Sequence, residues 1–176
     1  MDEAGRLRIE DWLAAGFRAL LRHGHSGLRA EALARDLGVS ADMFREHFAD
    51  AAAFRAEILA DWAARAYGGV MAGIEAEADA AARLQRLALA LVHPLGAAED
   101  AAMRIWARED AVAAQAVAEL DARRFHAVKA LCLAAGVNDP DLPLLIYAAS
   151  AGYAGLAPPE GADAGMRALL RMAGIS

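Results

Sequence analysis

Two short helices joined by a tight turn are predicted within residues 28–48, and this stretch constrains the fold more than any other. The first helix covers about Ala30–Leu37, where Leu33 and Leu37 share one face because they lie four positions apart. Gly38 follows directly and is suited to the left-handed conformation that ends a helix.

The second helix of this stretch has an apolar back and a polar front. Ser40 is expected to cap it, since a serine hydroxyl accepts a hydrogen bond from an unpaired backbone N–H. Phe44 and Phe48 share the back, which leaves the other side chains largely outward: Ala41, Asp42, Met43, Arg45 and His47. This pattern is the helix-turn-helix design, whose second helix enters the major groove of DNA.

A preceding helix completes a three-helix headpiece. Its pattern runs from about Arg6 to His23, with an apolar stripe formed by Ile9, Leu13, Phe17, Leu20 and Leu21. This stripe is expected to cover the two short helices, which cannot bury their apolar side chains alone. We therefore assign residues 1–48 to a headpiece, with the helix-turn-helix at about 29–48, and residues 49–176 to a helical body.

The rest of the chain predicts helices only. Asp50 can cap a fourth helix. Its apolar positions repeat every four residues at Phe54, Ile58 and Trp62 and continue to Ile74, and adjacent glycines at 68–69 mark a kink or a break. Further helices are expected at about 84–95, ending near His93–Pro94 with Leu95 on its stripe, then at 99–108, 110–135, 142–156 and, after a break at Pro158–Pro159, at 163–172. The fold class is all-α, with about nine helices.

The charge balance does not favour a protein that binds nucleic acid over its whole surface. The formal net charge is −6, and residues 1–60 hold eight arginines against ten acidic residues. A headpiece with a net charge of −2 lacks the basic surface that phosphate contacts usually require. Cys132 is the only cysteine, and the sequence shows neither a spanning apolar run nor a signal peptide, so we expect a cytoplasmic location.

These residues resemble the TetR-type transcriptional repressors, strongly in the headpiece and loosely beyond it. The matching positions are Phe17, Leu33-Ala34, Gly38-Val39-Ser40, Phe44, His47-Phe48 and Ile58-Leu59, together with the opening at 28–34 and the body segments 104–110 and 120–124, which are similar to one branch of the family. The resemblance implies a homodimer of nine-helix subunits, each with an N-terminal DNA headpiece and a ligand-binding body.

The resemblance also implies which residues contact a DNA operator. Such repressors usually carry Ser-Lys-Gly-Ser/Thr-Phe/Leu-Tyr-x-His-Phe, and this chain has Ala41 and Arg45 in place of the lysine and the tyrosine that commonly contact phosphates. We expect phosphate contacts from Arg29, Arg45 and His47, and base contacts from Asp42 and Met43, beside Ser40 and Ala41 at the start of the recognition helix.

Bulky side chains among many alanines suggest a cavity for a small apolar effector in the body. The candidates lie on helices four to eight: Trp62, Tyr67, Met71, Leu87, Leu91, Met103, Trp106, Phe125 and Tyr147. Nearby His93, Gln115 and His126 are polar groups that would orient a ligand. The alternative for each apolar residue is a place in the core, where such residues are usually found.

The last two helices are candidates for a dimer interface. Small residues between Ala148 and Gly155 permit close approach, and Leu145, Tyr153, Leu169 and Leu170 offer apolar area. Packed against a second copy, these helices would form a four-helix bundle. The alternative is that they are buried within one subunit.

No catalytic, phosphate-binding or metal-binding motif is present, so we expect neither an enzyme nor a cofactor. His23 and His25 lack partners at zinc-ligand spacing. The leading hypothesis is a ligand-responsive repressor that binds a palindromic operator as a dimer. Two alternatives stay open: a helical ligand-binding dimer that has lost operator recognition, and a small helical enzyme or carrier.

Overall fold

The computed structural model describes residues 7–155 and 161–175, which contain helices and no strands. The helices are α1 (Ile9–His23), α2 (Ala30–Leu37), α3 (Asp42–Arg45), α4 (Ala51–Ala63), α5 (Val70–Ile74), α6 (Ala80–Leu91), α7 (Pro94–Trp106), α8 (Ala111–Ala134), α9 (Leu142–Gly155) and α10 (Ala162–Met172). A π-helical segment, Ala64–Gly69, joins α4 to α5, so the described ranges hold nine separate helices. The all-α prediction is confirmed. The expected helix start at Arg6, the helix end at Leu156 and the break at Pro158–Pro159 lie outside the described residues.

The turn of the helix-turn-helix forms as predicted at its glycine, but the predicted serine cap is wrong. Gly38 adopts the left-handed conformation (φ 71°, ψ 28°) and ends α2. Ser40 caps nothing, because α3 starts at Asp42, after an already helical Ala41, and no side chain caps it. The N–H groups of Met43 and Phe44 donate to the main-chain carbonyls of Ser40 and Ala41 at 3.2 Å, so main-chain groups take the place of the predicted side-chain cap.

An aromatic cluster holds α3 in place. Phe44 packs against Trp12 of α1 with ring centroids 5.5 Å apart, and against Phe54 of α4 at 5.3 Å. Phe48 lies 5.0 Å from Phe44 and 4.9 Å from Phe54. All four rings are buried. The back of α3 is therefore anchored to both neighbouring helices, as the spacing of Phe44 and Phe48 predicts.

A continuous helix connects the headpiece to the body. Asp50 caps α4, since its carboxylate accepts from the Ala53 N–H at 2.8 Å. At Gly68 and Gly69 the helix does not break; its hydrogen bonding widens into the π-helical segment and then returns to α in α5. The expected kink or break is thus a π-helical segment within one helix, where missing side chains leave the backbone free to rewind.

Pro94 begins a helix instead of ending one. The predicted fifth helix ends at Leu91, and Leu95 belongs to α7, whose first residue is Pro94. Proline is favoured at this first position because the missing N–H would have no partner there. The predicted sixth helix accordingly starts five residues earlier than expected.

Two apolar cores share the described residues. The first core contains side chains of the headpiece together with side chains of α4, α7 and the first half of α8. It includes Trp62, Met103, Trp106 and Leu120. The second lies among α5, α6, α8, α9 and α10, and includes Ile74, Leu87, Val128, Ile146 and Met166. Because the first core crosses residue 48, the headpiece and the body are packed together as well as linked.

Helices α1 and α4 cross at Gly16, where there is no room for a side chain. A Cβ there would lie 2.6 Å from Ile58 Cδ1 and 2.8 Å from Phe54 Cζ. We expect Gly16→Ala to lower the free energy of unfolding by about 1–3 kcal/mol, through overpacking. The measurement is urea denaturation followed by circular dichroism.

Gly73→Ala is the matched control. A Cβ at Gly73 of α5 would meet nothing within 4 Å, so alanine should raise the stability by about 0.5–1 kcal/mol through helix propensity. Equal stability of the two variants would contradict the close crossing of α1 and α4.

Candidate nucleic-acid interface and body cleft

Two opposite charges on the exposed face of α3 pair with each other. Arg45 donates from Nη1 to Asp42 Oδ1 at 2.5 Å, one turn apart on the helix. Both side chains are open to solvent, with 72% and 83% of their surface exposed. A surface ion pair of this kind contributes little stability, but it offsets the charge that Arg45 would offer to a phosphate.

Three other predicted contact residues in and beside α3 are only partly accessible. Met43 and Ala41 are half-buried and pack against the headpiece core. His47 is also half-buried; its ring lies 6.5 Å from that of Trp12, and its Nε2 is buried without a hydrogen-bond partner among the described residues. Ser40 is exposed in the turn, and Arg29 is exposed directly before α2. The structure therefore places Ser40, Asp42 and Arg45 together on one surface, with Arg29 at the start of α2.

Sequence reasoning missed a basic cleft beside this surface. It is about 620 Å³ in volume, lies between α1 and α2, and is lined by Arg22, His23 and Arg35 as well as by Arg29. Arg22, His23 and Arg35 lie on polar faces of α1 and α2, for which the sequence pattern predicts only exposure to solvent. Their convergence depends on how α1 packs on α2, which the spacing of arginines does not reveal.

The nine predicted effector residues do not form one cavity wall. Trp62, Met103 and Trp106 are buried in the first core, and Leu87 and Leu91 in the second. The remaining four are half-buried: Tyr67, Met71, Phe125 and Tyr147. Trp62 and Leu91 line a cleft of about 520 Å³, which is within the usual range for small-molecule sites. Of the three polar candidates, His93 lines this cleft too.

A buried polar network forms one wall of the body cleft. Asp100 of α7 accepts from Trp62 Nε1 at 3.0 Å and forms an ion pair with Arg124 of α8. A second nitrogen of Arg124 donates to the Ala66 carbonyl of the π-helical segment at 3.2 Å. Asp100 and Arg124 are less than 10% exposed, and charges so deeply buried are tolerated because they are paired. The network ties together the helices on three sides of the cleft.

A second polar cluster joins α7, α8 and α9. Arg104 donates to both carboxylate oxygens of Asp121, at 2.6 and 2.8 Å, and the Tyr147 hydroxyl donates to the same carboxylate at 2.6 Å. Burial alone would raise the pKa of Asp121, but the hydrogen bonds from Arg104 and Tyr147 outweigh it and lower that pKa. Burial, with the neighbouring carboxylate, raises the pKa of Tyr147, so the phenol stays protonated.

Side-chain contacts of Arg65 and His25 also connect the headpiece to the body. Arg65 of the π-helical segment lies over the Phe17 ring of α1, 4.4 Å from its centroid, and binds Glu99 of α7 at 2.9 Å. His25, between α1 and α2, stacks on Trp106 with ring centroids 6.2 Å apart. The position of the headpiece therefore depends on the same helices, α4 and α7, that line the body cleft.

The last two helices present apolar side chains to solvent. Leu144 and Leu145 of α9 are 57% and 55% exposed, and Met172 of α10 is 88% exposed. These helices also pack closely on each other, since a Cβ at Gly165 would collide with the Tyr153 ring. Among the described residues, neither apolar core includes these two leucines.

Two solved structures are similar to this chain over nearly its whole length. One is described as a putative TetR-family transcriptional regulator from Rhodococcus sp.; it is 20% identical, with a TM-score of 0.71, over 94% of this chain and 97% of its own. The other is described as a transcriptional regulator from Rhodococcus sp. Rha1, also 20% identical, with a TM-score of 0.76, over 94% of this chain and 95% of its own. The chain has the TetR-type fold. No protein-family model and no curated protein matches it.

Neither a membrane-spanning helix nor a cluster of metal-binding side chains is present among the described residues. Within residues 7–155 and 161–175, no helix is long and apolar enough to cross a membrane. In the same ranges, no three His, Cys, Asp or Glu side chains are grouped as metal ligands would be.

The Asp121 cluster gives a pH-dependent contribution to stability. Because the pKa of Asp121 is lowered on folding, its contribution is present above the unfolded-state pKa, near 4, and is lost as the pH falls through the folded-state pKa. We expect Asp121→Asn to lower the free energy of unfolding at pH 7 by about 1–3 kcal/mol and to flatten its fall below pH 5.

Glu57→Gln, on an exposed position of α4, is the control for removing a carboxylate. It should leave the pH profile of urea denaturation close to that of the wild type. A profile for Asp121→Asn that parallels the wild type down to pH 2 would contradict the assignment.

Proposed function

We propose that this chain is a DNA-binding transcriptional regulator that acts in the cytoplasm as a homodimer and is neither an enzyme nor cofactor-dependent. The observation that carries the proposal is the helix-turn-helix at the surface of a TetR-type fold. Phe44 and Phe48 anchor the back of α3 to α1 and α4, and the turn at Gly38 sets α3 against α2. An anchored back and an exposed front are what a helix needs to enter a major groove as a rigid unit.

Dimerisation through α9 and α10 supplies the second half of the proposal. Two copies related by twofold symmetry would set their recognition helices about 34–36 Å apart, one turn of DNA, and so read a palindromic operator. The exposed Leu144 and Leu145 support this surface, because joining an isologous interface would bury them.

The body cleft is the proposed site for a small apolar effector. Its walls come from the linking helix, α6, α7 and α8, and Trp62 on its wall belongs to the helix that carries the headpiece. A ligand that fits the cleft better in one position of that helix would shift the population towards it and change the operator affinity. A ligand that lowers the operator affinity in this way would relieve repression.

A second candidate is a helical ligand-binding dimer that has lost operator recognition. The ion pair between Asp42 and Arg45 favours it, because the front of α3 then offers no unpaired cation among the described residues. The two candidates differ in one measurable property, sequence-specific binding to DNA.

That property is tested with duplex DNA from upstream of the chain's own gene, by fluorescence anisotropy at two salt concentrations. A regulator should bind one site saturably, with an affinity at least about 1000-fold above that for a shuffled duplex of the same length. The affinity should fall as the salt concentration rises, because phosphate contacts release counterions. Equal, weak binding to both duplexes would favour the second candidate.

The dimer is tested by placing a charge on the proposed interface. We expect Leu145→Arg to sediment as a monomer at micromolar concentration, because an unpaired charge cannot be buried between two helices. Val112→Arg is the matched control, since Val112 of α8 is 65% exposed and lies outside the proposed interface. A wild-type monomer, or equal dissociation of both variants, would contradict the proposed interface.

A further inference from the structure

The unpaired arginines among the described headpiece residues, 7–48, lie at the basic cleft between α1 and α2. Arg22 lies on the last turn of α1, Arg29 directly precedes α2, and Arg35 lies on the last turn of α2. All three side chains are exposed, and none has a carboxylate within 4.0 Å among the described residues. His23 and Ser26 add hydrogen-bonding groups to the same cleft.

Most of the other described arginines of the headpiece are neutralised by neighbours. Arg18 binds Asp36 at 2.9 Å, and Arg45 binds Asp42. Arg8 lies 3.9 Å from Glu10. The pairing of Arg18 also matters for the cleft, because Asp36 lies on its edge and would otherwise oppose the three free arginines.

The charge of the headpiece is therefore uneven rather than absent. A net charge of −2 over residues 1–60 describes the field at long range, but salt limits that range to about 8–10 Å under ordinary conditions. Among the residues that line the cleft, three are arginines and one, Asp36, is an acid that already pairs with Arg18. An anion that approaches this side of the headpiece meets a positive surface, whereas one that approaches α3 meets a neutral ion pair.

The position of the cleft in the motif indicates which anion it receives. In a helix-turn-helix the first helix crosses the DNA backbone while the second enters the groove, and here α2 is that first helix. Arg29 belongs both to the cleft and to the start of α2, where the first backbone N–H groups of the helix favour a phosphate. The cleft is thus continuous with the part of the motif that meets the backbone.

We propose that Arg22, Arg29 and Arg35 bind the phosphate backbone of DNA in this cleft, and so supply the electrostatic affinity that α3 lacks. The inference rests on the proposed regulator function and deepens it. In this arrangement, α2 and the end of α1 bind the DNA backbone. α3 contacts the bases in the groove, with almost no net charge of its own.

The test needs no knowledge of the operator, because phosphate contacts do not depend on sequence. The full chain is titrated with a fluorescent 30-base-pair duplex of arbitrary sequence at several salt concentrations, and log affinity is plotted against log salt. Each of Arg22→Gln, Arg29→Gln and Arg35→Gln should make the slope shallower by about 1, and the triple variant by about 3. Thermal melting checks that each variant is folded.

Two sets of controls separate local contacts from net charge. Lys129→Gln removes one positive charge from an exposed position of α8 and should leave the slope unchanged. The triple arginine-to-lysine variant keeps the charge and should retain most of the slope. A triple glutamine variant with the wild-type slope, or an equal loss in Lys129→Gln, would overturn the proposal.

A small-anion site is the competing result. If calorimetry shows that inorganic pyrophosphate binds at micromolar concentration, and the triple glutamine variant loses this binding but keeps its DNA slope, the proposal is overturned. The test also separates the cleft proposal from the regulator proposal.

If the chain binds a specific operator but the triple glutamine variant keeps the wild-type salt slope, only the cleft proposal is overturned. If the salt slope of the triple variant falls but no specific DNA site is found, the result supports the cleft proposal and counts against the regulator function.

Discussion

The packing of Phe44 between Trp12 and Phe54 is the contact on which the structure depends. It joins α3, a helix of four residues that could not persist alone, to the long helices on either side. Edge-to-face aromatic contacts are directional, so they fix the orientation of α3 as well as its position. Because Phe54 belongs to the helix that continues into the body, α3 is held by the same element that lines the body cleft.

In the body, buried ion pairs between α7 and α8 determine how the two helices are aligned. Hydrophobic burial is non-directional, whereas the pairs Asp100–Arg124 and Arg104–Asp121 form in only one register of α7 on α8. Buried ion pairs add little net stability, but a shifted arrangement would leave charges unpaired at a cost of several kcal/mol, of the order of 3–5. We therefore interpret these pairs as contacts that select one arrangement of the cleft walls.

The sequence was sufficient to predict the helices and the headpiece, because local periodicity and capping determine them. Asp50, Gly38 and the spacing of Phe44 and Phe48 each act within a few residues of their own position. The start of α7 at Pro94 was missed because proline ends one helix and begins another equally well. The lining of the body cleft and the convergence of Arg22 with Arg35 were beyond reach, since both depend on how helices distant in sequence pack.

The π-helical segment has a geometrical consequence for the helix that contains it. Trp62 and Ile74 are twelve positions apart, and an uninterrupted α-helix would point them about a third of a turn away from each other. A π-helical segment takes more residues per turn, so it winds Ile74 back towards the side of Trp62. Both side chains are buried, one in each core. The π-helical segment thus rotates α5 relative to α4 about the helix axis. This rotation places Trp62 and Ile74 on nearly the same side of one helix, where each packs into its own core.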